Sequence, residues 1–314
     1  MSATFNLLSD STCDFSLEDA QRLNVTILPF TYTEAGKPDG GFHGIDDQFQ
    51  TRSAHEFYDA IRNGATPMTS QPSPLVFEEA FRAALDTGLP SVLFCITSAL
   101  SGGFNGAVSA LDRLKEEMGV DELPIYIIDS GVTSTAQYLL VEEAARRRDA
   151  GATAEEVFQW ALEARHRLHS IFMVDSLDTL QRGGRLPKTV ALVAGALDAK
   201  PLLHFNIDGS LGVVGVARGR VKGIKKLVKH YAEAHLDDGC GPVVSIGNAD
   251  CPADLDRLAE LLKEQNPDLR VMTSTIGPTI GCHVGPGMIS CCFWGADRRT
   301  SKESKKVKGF RRNA

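Results

Sequence analysis

The stretch Ser91-Val92-Leu93-Phe94-Cys95-Ile96-Thr97-Ser98-Ala99-Leu100-Ser101-Gly102-Gly103 decides the fold class of this 314-residue chain. Its first six residues form a short, largely apolar run of the kind buried in a parallel sheet. A hydroxyl- and glycine-rich turn follows, then about 15 residues of helical pattern that stop at Gly119. The same order recurs on either side. Residues 5–9 read as a strand running into Asp10-Ser11-Thr12-Cys13-Asp14, and Ser16 then opens a helix with Asp19 as an imperfect capping partner. Residues 124–128 read as a strand ending at Asp129-Ser130, with a helix following through Arg148. This repetition predicts an α/β fold with a doubly wound, mostly parallel sheet. Ligands on such sheets bind at the carboxyl ends of strands, where two of the polar clusters and Asp129-Ser130 fall.

Outward from that core the local signals are clear. Residues 25–32 form a β-branched run interrupted at Pro29, and a Gly-rich loop spans 36–44. Ser53-Ala54-His55-Glu56 has the form of a capping box before a helix to about Asn63. Ser73 and Pro74 resemble an N-cap and N1 proline for a helix through Leu85. Gly151 and Thr153 mark the end of one helix and the start of the next. The expected units are therefore 1–152, 153–296 and a basic tail, 297–314. In the second unit, residues 171–174 predict a strand. Residues 203–207 and 210–217 predict a hairpin around Asp208-Gly209. Strands at 243–246 and 271–274 flank a helix over 252–265, and 288–294 is a last strand. An α/β domain with a mixed, partly antiparallel sheet fits this order.

Composition excludes several classes of function. Apolar residues make up 43%, aromatic 7% and charged 23%, ordinary for a soluble globular chain of one or two domains. The formal net charge is −7, yet residues 298–312 hold eight basic residues and one acid, leaving 25 basic against 39 acidic residues elsewhere (33 less 8, 40 less 1). An acidic body repels nucleic acid and anionic lipid. No apolar run approaches the roughly 18 residues of a membrane span, so stable insertion is not expected. The start of the chain lacks the pattern of a signal peptide. Seven scattered cysteines without a C-x-x-C pair argue for reduced thiols, a cytoplasmic setting and no zinc site. His166 and His169 lack a third ligand. No Walker lysine or G-x-S-x-G elbow is present, and the spaced glycines at 209–215 fall on the expected hairpin.

Four clusters could carry chemistry: Asp10 to Asp14, Thr69-Ser70-Gln71-Pro72-Ser73, Thr97 to Gly103, and Ile280-Gly281-Cys282-His283-Val284-Gly285-Pro286-Gly287. Hydroxyls, free backbone N–H groups and one histidine are suited to hold a small anionic group. Gly102 and its neighbours would let the backbone approach such a group. The same residues also compose ordinary capped turns. His283, in a glycine-dense turn, would favour its cationic form beside a carboxylate. The basic stretches 181–185 and 217–226 are either solvated faces or a docking patch for an acidic or nucleotide-bearing partner.

Taken in order, these motifs resemble the DegV family of bacterial fatty-acid-binding proteins. The resemblance rests on Asp-Ser-Thr-x-Asp, Thr-Ser-Gln-Pro-Ser and Ser-x-Leu-Ser-Gly in the first half. In the second half it rests on Phe172-x-Val-x-Ser-Leu-x-x-Leu-x-Arg-Gly-Gly-Arg185, Lys200-Pro201 and Gly281-x-His-x-Gly-Pro-Gly287, and it covers about residues 5–295. It implies two α/β domains enclosing the acyl chain of a long-chain fatty acid such as palmitate, stearate or oleate, with no other cofactor, no metal and no catalytic residue. Thr69, Ser70, Ser98, Ser101, Gly102 and His283 are the implied carboxylate contacts. Arg182, Arg185, Arg218 and Arg220 are implied near the entrance or a partner surface. The implied partner is an ATP-dependent fatty acid kinase subunit that phosphorylates the bound acid. Gly103 replaces a threonine usual in the family, and Cys282 and Val284 flank the histidine where small or hydroxyl residues are common. Burying about 15 methylenes at ~0.8 kcal/mol each releases roughly 12 kcal/mol, against on the order of 4 kcal/mol or more for association. Two rivals remain: a serine-dependent acyl hydrolase using Ser98 or Ser101 with His283, and a regulatory module whose basic tail binds nucleic acid or membrane.

Overall fold

The computed structural model describes residues 3–34, 36–37, 41–189, 198–236 and 240–300. Strands β1 (Asn6–Asp10), β2 (Val25–Leu28), β6 (Ser91–Cys95) and β7 (Ile125–Asp129) form a sheet in the order β2-β1-β6-β7, parallel throughout. Every residue of β6 is buried, as a strand covered on both faces requires. Helices α3 (Pro74–Asp86) and α4 (Gly103–Met118) cover one face, packing Phe77, Phe81, Ala107 and Leu114 against Leu8, Leu28 and Leu93. Their neighbours start where the local sequence dictates. Ser73 caps α3 with Pro74 in the first turn, and α2 (Ala54–Arg62) begins at a complete Ser53/Glu56 capping box.

Pro29 has no N–H for a ladder, and the chain leaves the first sheet there. β3 (Thr31–Thr33) instead pairs antiparallel with β4 (Gly44–Ile45) and β5 (Met68–Ser70) in a separate three-stranded sheet. The run over 25–32, expected as one interrupted strand, is thus two strands in two sheets. Thr69, expected in a stiff loop, is a strand residue.

The second large sheet has six strands in the order β10-β9-β8-β13-β11-β12, formed by β8 (Leu168–Met173), β9 (Ala199–Phe205), β10 (Leu211–Arg218), β11 (Val243–Asn248), β12 (Arg270–Thr275) and β13 (Ile289–Trp294). Only β11 and β12 pair in parallel. Helices α8 (Arg220–Ala234) and α9 (Pro252–Gln265) pack on its outer face against Ile171, Met173, Val244, Ile246 and Phe293. By the period-two rule the alternate residues Ser170, Phe172, Ser290 and Cys292 face inward.

Between the sheets lies α5 (Thr135–Asp149), with 11 of its 15 residues buried. One apolar cluster joins it to Phe5, Leu7 and Phe94 of the first sheet and to Phe172, Leu203 and Trp294 of the second. The proposed division at 152/153 falls at the Thr153 cap of α6 (Ala154–Ala164), while this cluster runs across it. The hairpin tip adds a contact across the halves. Gly209, at φ +80°, would place a Cβ 2.0 Å from Thr97 Oγ1, so only glycine lets the tip press on the turn after β6.

Among the described residues no helix is long and apolar enough to cross a membrane, and all seven cysteines are free. The first two basic residues of the tail are held to the body: Arg298 donates to Phe205 O at 2.7 Å and Arg299 pairs with Glu163 at 2.7 Å. Lys302 to Arg312 lie outside the described residues.

Candidate functional site

His283 was expected in a turn, but it sits in a seven-residue helix, α10 (Pro278–Val284). Proline at its start accounts for part of this, and two carboxylates account for the rest. Asp14 accepts the Gly277 N–H at 2.9 Å and Asp46 accepts the Thr279 N–H at 3.1 Å, occupying the positive end of the helix. Both acids are buried. Loss of hydration raises the Asp14 carboxyl well above its ordinary range and the Asp46 carboxyl to about 6. Ser134 donates to Asp14, and Thr279 and Ser11 donate to Asp46, the last at 3.1 Å. Asp10 accepts from Thr12 Oγ1 at 2.5 Å, from Ile96 N at 2.7 Å and from Gln137 at 3.1 Å. The first polar cluster therefore knits β1, β6 and α5 together. Its carboxyl groups are engaged by donors of the protein itself.

A slender cavity lies between the two large sheets, with Phe30, Ile96, Leu100, Phe172, Phe205 and Val284 among its walls. Its empty volume is about 650 Å³, counting the part open to solvent.

Thr69, Ser101, Arg185 and His283, from four separate segments, stand among the polar side chains of the wall. Thr69 Oγ1 and His283 Nε2 are 2.8 Å apart. His283 Nδ1 is buried without a hydrogen-bond partner. Burial first, and then Arg185, lower the His283 pKa to about 4. With no carboxylate beside it among the described residues, the imidazole is neutral at ordinary pH; a carboxylate brought alongside would favour its cationic form. The cation is Arg185. Its guanidinium donates to Leu100 O at 3.1 Å and to Gly183 O at 2.6 Å, and no acidic side chain among the described residues pairs with it. Ser101 Oγ accepts the Gly103 N–H at 3.2 Å, leaving its own proton uncommitted.

The remaining expected residues do not join this group. Ser70 follows Thr69 in β5 and so points the other way, exposed. Ser98 is exposed and donates to Asp129 Oδ2 at 2.5 Å, away from the cavity wall. Gly102 faces a side chain of its own protein: a Cβ there would lie 2.5 Å from Gln71 Oε1. Arg220 is committed to Asp175 at 2.8 Å and Asp254 at 2.5 Å. Arg182, the last residue of α7 (Asp178–Arg182), and Arg218, the last of β10, are exposed. Sequence reading also missed Thr133, Ser134, Thr135, Ser170, Thr279 and Ser290 on the cavity wall. The Thr133-Ser134-Thr135 run after the strand end at Asp129 was the available signal. The others alternate within strands or helices and carry none.

Neither Ser98 nor Ser101 hydrogen-bonds to His283, and among the described residues no carboxylate orients the ring, so these residues do not assemble the arrangement a serine hydrolase needs. His55, Asp59 and Asp250 bring ligand-type atoms within 4.8 Å of one another. Arg62 already pairs with both of those acids, at 2.7 and 2.5 Å.

Gly183, in the Arg182-Gly183-Gly184-Arg185 run, leaves room for the His283 ring. A Cβ at Gly183 would lie 2.5 Å from His283 Nδ1. Gly183→Ala is expected to push the ring from Thr69 and break the Thr69–His283 hydrogen bond, a loss of about 1 kcal/mol of stability. Urea denaturation of the two proteins checks this; unchanged stability would mean that the ring position is immaterial.

A family model described as "Uncharacterised protein, DegV family" matches residues 4–295. A DegV domain-containing protein of Clostridium perfringens is 34% identical over 251 residues, covering 80% of this chain and 85% of the relative. Among solved structures, a stearic acid-binding protein from Eubacterium ventriosum is 26% identical with a TM-score of 0.78, covering 92% of this chain and 97% of that one. The Streptococcus pneumoniae fatty acid kinase B3 protein, loaded with linoleic acid, is 21% identical with a TM-score of 0.77 over 93% of this chain and 99% of that one, a likeness of fold. The chain belongs to the DegV family.

Proposed function

We propose that this protein binds a long-chain fatty acid in the slot between its sheets, with the carboxylate held by Arg185, Thr69, Ser101 and His283. The observation that carries the reading is Arg185: a half-buried guanidinium without an acidic partner among the described residues, beside a neutral Thr69–His283 pair, on the wall of a largely apolar cavity. Desolvated cations are costly until an anion joins them. A fatty acid supplies the anion and fills the slot with methylenes at once. Membership of a family with a stearic acid-binding structure supports the same chemistry.

The further step, presentation of the carboxylate to an ATP-dependent kinase subunit for acyl-phosphate formation, rests on the family resemblance and on exposed Arg182 and Arg218, which leave cationic surface for a partner. In this reading the protein is a carrier and holds the acid without transforming it. Native mass spectrometry of gently purified protein is expected to show one C16–C18 fatty acid per chain. Empty protein that also refuses added palmitate and oleate would overturn the proposal.

A further inference from the structure

Beyond His204 the second sheet comes apart at its edge. β8 runs on to Leu168 paired with β13, whereas β9 leaves it after the Ile171–His204 rung and continues only with β10, to the Leu211–Phe205 rung. Both residues of that last rung line the slot, as does Ser170 on the strand they have left. The ribbon then closes over Asn206 to Ser210 with hydrogen bonds of its own. Asn206 N–H donates to Ser210 O at 2.7 Å, Asn206 Nδ2 to Ser210 Oγ at 3.0 Å and Gly209 N–H to Asn206 O at 3.0 Å. A two-stranded hairpin outside a sheet is marginal by itself. Gly209 and Arg298 hold this one down. Gly209 lies on Thr97 in the turn after β6, and Arg298 donates to Phe205 O at 2.7 Å, where β8 no longer reaches.

The geometry lets this tip move as a unit. β10 carries a bulge between Val213 and Gly215, a bend that separates the rungs of the tip from those packed on α8 through Ala217. A Cβ at Gly215 would meet nothing within 4 Å, so the bend has open space beside it. Swinging the tip off Thr97 would carry Phe205 and Leu211 out of the wall that they share with Ile96 and Leu100, opening the slot along its apolar side. Burial of those two side chains keeps it shut between events. The alternative route passes the polar end, where every methylene has to cross the Arg185 guanidinium. A side opening spares the chain that crossing and leaves the carboxylate contacts in place.

We infer that the β9–β10 hairpin tip, residues 205–211, is the door of the slot and that Arg298 latches it; this rests on the fatty-acid reading above and deepens it. The test is stopped-flow fluorescence of the full chain, stripped of lipid, with cis-parinarate, a naturally fluorescent long-chain fatty acid. In the double variant Thr97→Cys, Gly209→Cys, a covalent bond replaces the contact. The two Cβ atoms would lie 3.1 Å apart, about half an ångström inside the ~3.5–4.5 Å that a disulfide spans, so a slight lift of the tip joins them. Oxidised, this variant is expected to take up and release the probe about tenfold more slowly than after reduction with dithiothreitol, at the same Kd, because a gating step limits both rates. Arg298→Met removes the latch and should speed both rates by about tenfold, the worth of one hydrogen bond from a charged group, again at constant Kd. Equal rates before and after reduction, with the disulfide verified by mass, would overturn the inference and leave the bound acid in place. Should the disulfide not form, unchanged rates in Arg298→Met overturn it instead. Native protein that binds neither cis-parinarate nor palmitate would overturn the fatty-acid reading as well.

Discussion

Arg185→Met is expected to weaken palmitate binding by about ten- to a hundredfold, because a hydrogen bond to an ionised group is worth about 1.5–3 kcal/mol. Methionine keeps the length and apolar character of the stem and removes only the charge. The remaining contacts, Thr69 and Ser101, are neutral hydroxyls, and His283 is held neutral by burial, so nothing nearby can replace the guanidinium. Hexadecanol, which has the same chain without the charge, separates the contributions. Its affinity should fall far less than that of palmitate, since only the headgroup contact is lost. Calorimetry with both ligands reads the difference. Equal losses for acid and alcohol would mean that Arg185 shapes the slot and leaves the carboxylate to others.

The second large effect concerns pH. Burial raises the Asp46 carboxyl from its ordinary value of 3.8 to about 6, so the folded state binds this proton more tightly than the unfolded state does. Folding is then favoured by Asp46 at low pH and loses that contribution as pH rises from about 4 to about 6, by roughly 3 kcal/mol at most. Half-buried paired acids such as Asp19 and Asp250 have lowered values and act in the opposite direction. A comparison with Asp46→Asn cancels them, because they are present in both proteins. The stability of the native protein relative to Asp46→Asn should decline by about 2–3 kcal/mol between about pH 4.5 and about pH 7 in urea denaturation. A difference that does not change with pH would show that Asp46 is hydrated and that α10 is capped by a normal carboxylate. Because α10 carries both Thr279 and His283, the same titration reports on how firmly one wall of the slot is held.

Much of the frame was legible without coordinates. The N-caps Ser16, Ser53, Ser73 and Thr153 act where the sequence places them, since a cap depends on three or four consecutive residues. The apolar run at Ser91 to Cys95 could only be a covered strand, and the Asp208-Gly209 hairpin needed only its turn. The fate of residues 25–32 was not legible in the same way. Pro29 signals an interruption, but which sheet receives the next strand depends on β4 and β5, which lie far along the chain.

For the site, the chain by itself determined which chemical groups are available, namely the hydroxyl-rich turns, the Arg-Gly-Gly-Arg run and a single histidine near its end. Only the tertiary structure decided which of them act together. Thr69 turns inward and Ser70 outward because β5 pairs with β3, and Ser98 is drawn off by Asp129. Arg185 rather than His283 carries the charge, because desolvation strips a proton from imidazole long before it can strip one from guanidinium. Direction and hydration are set by what packs alongside a residue, and no spacing along the chain records them.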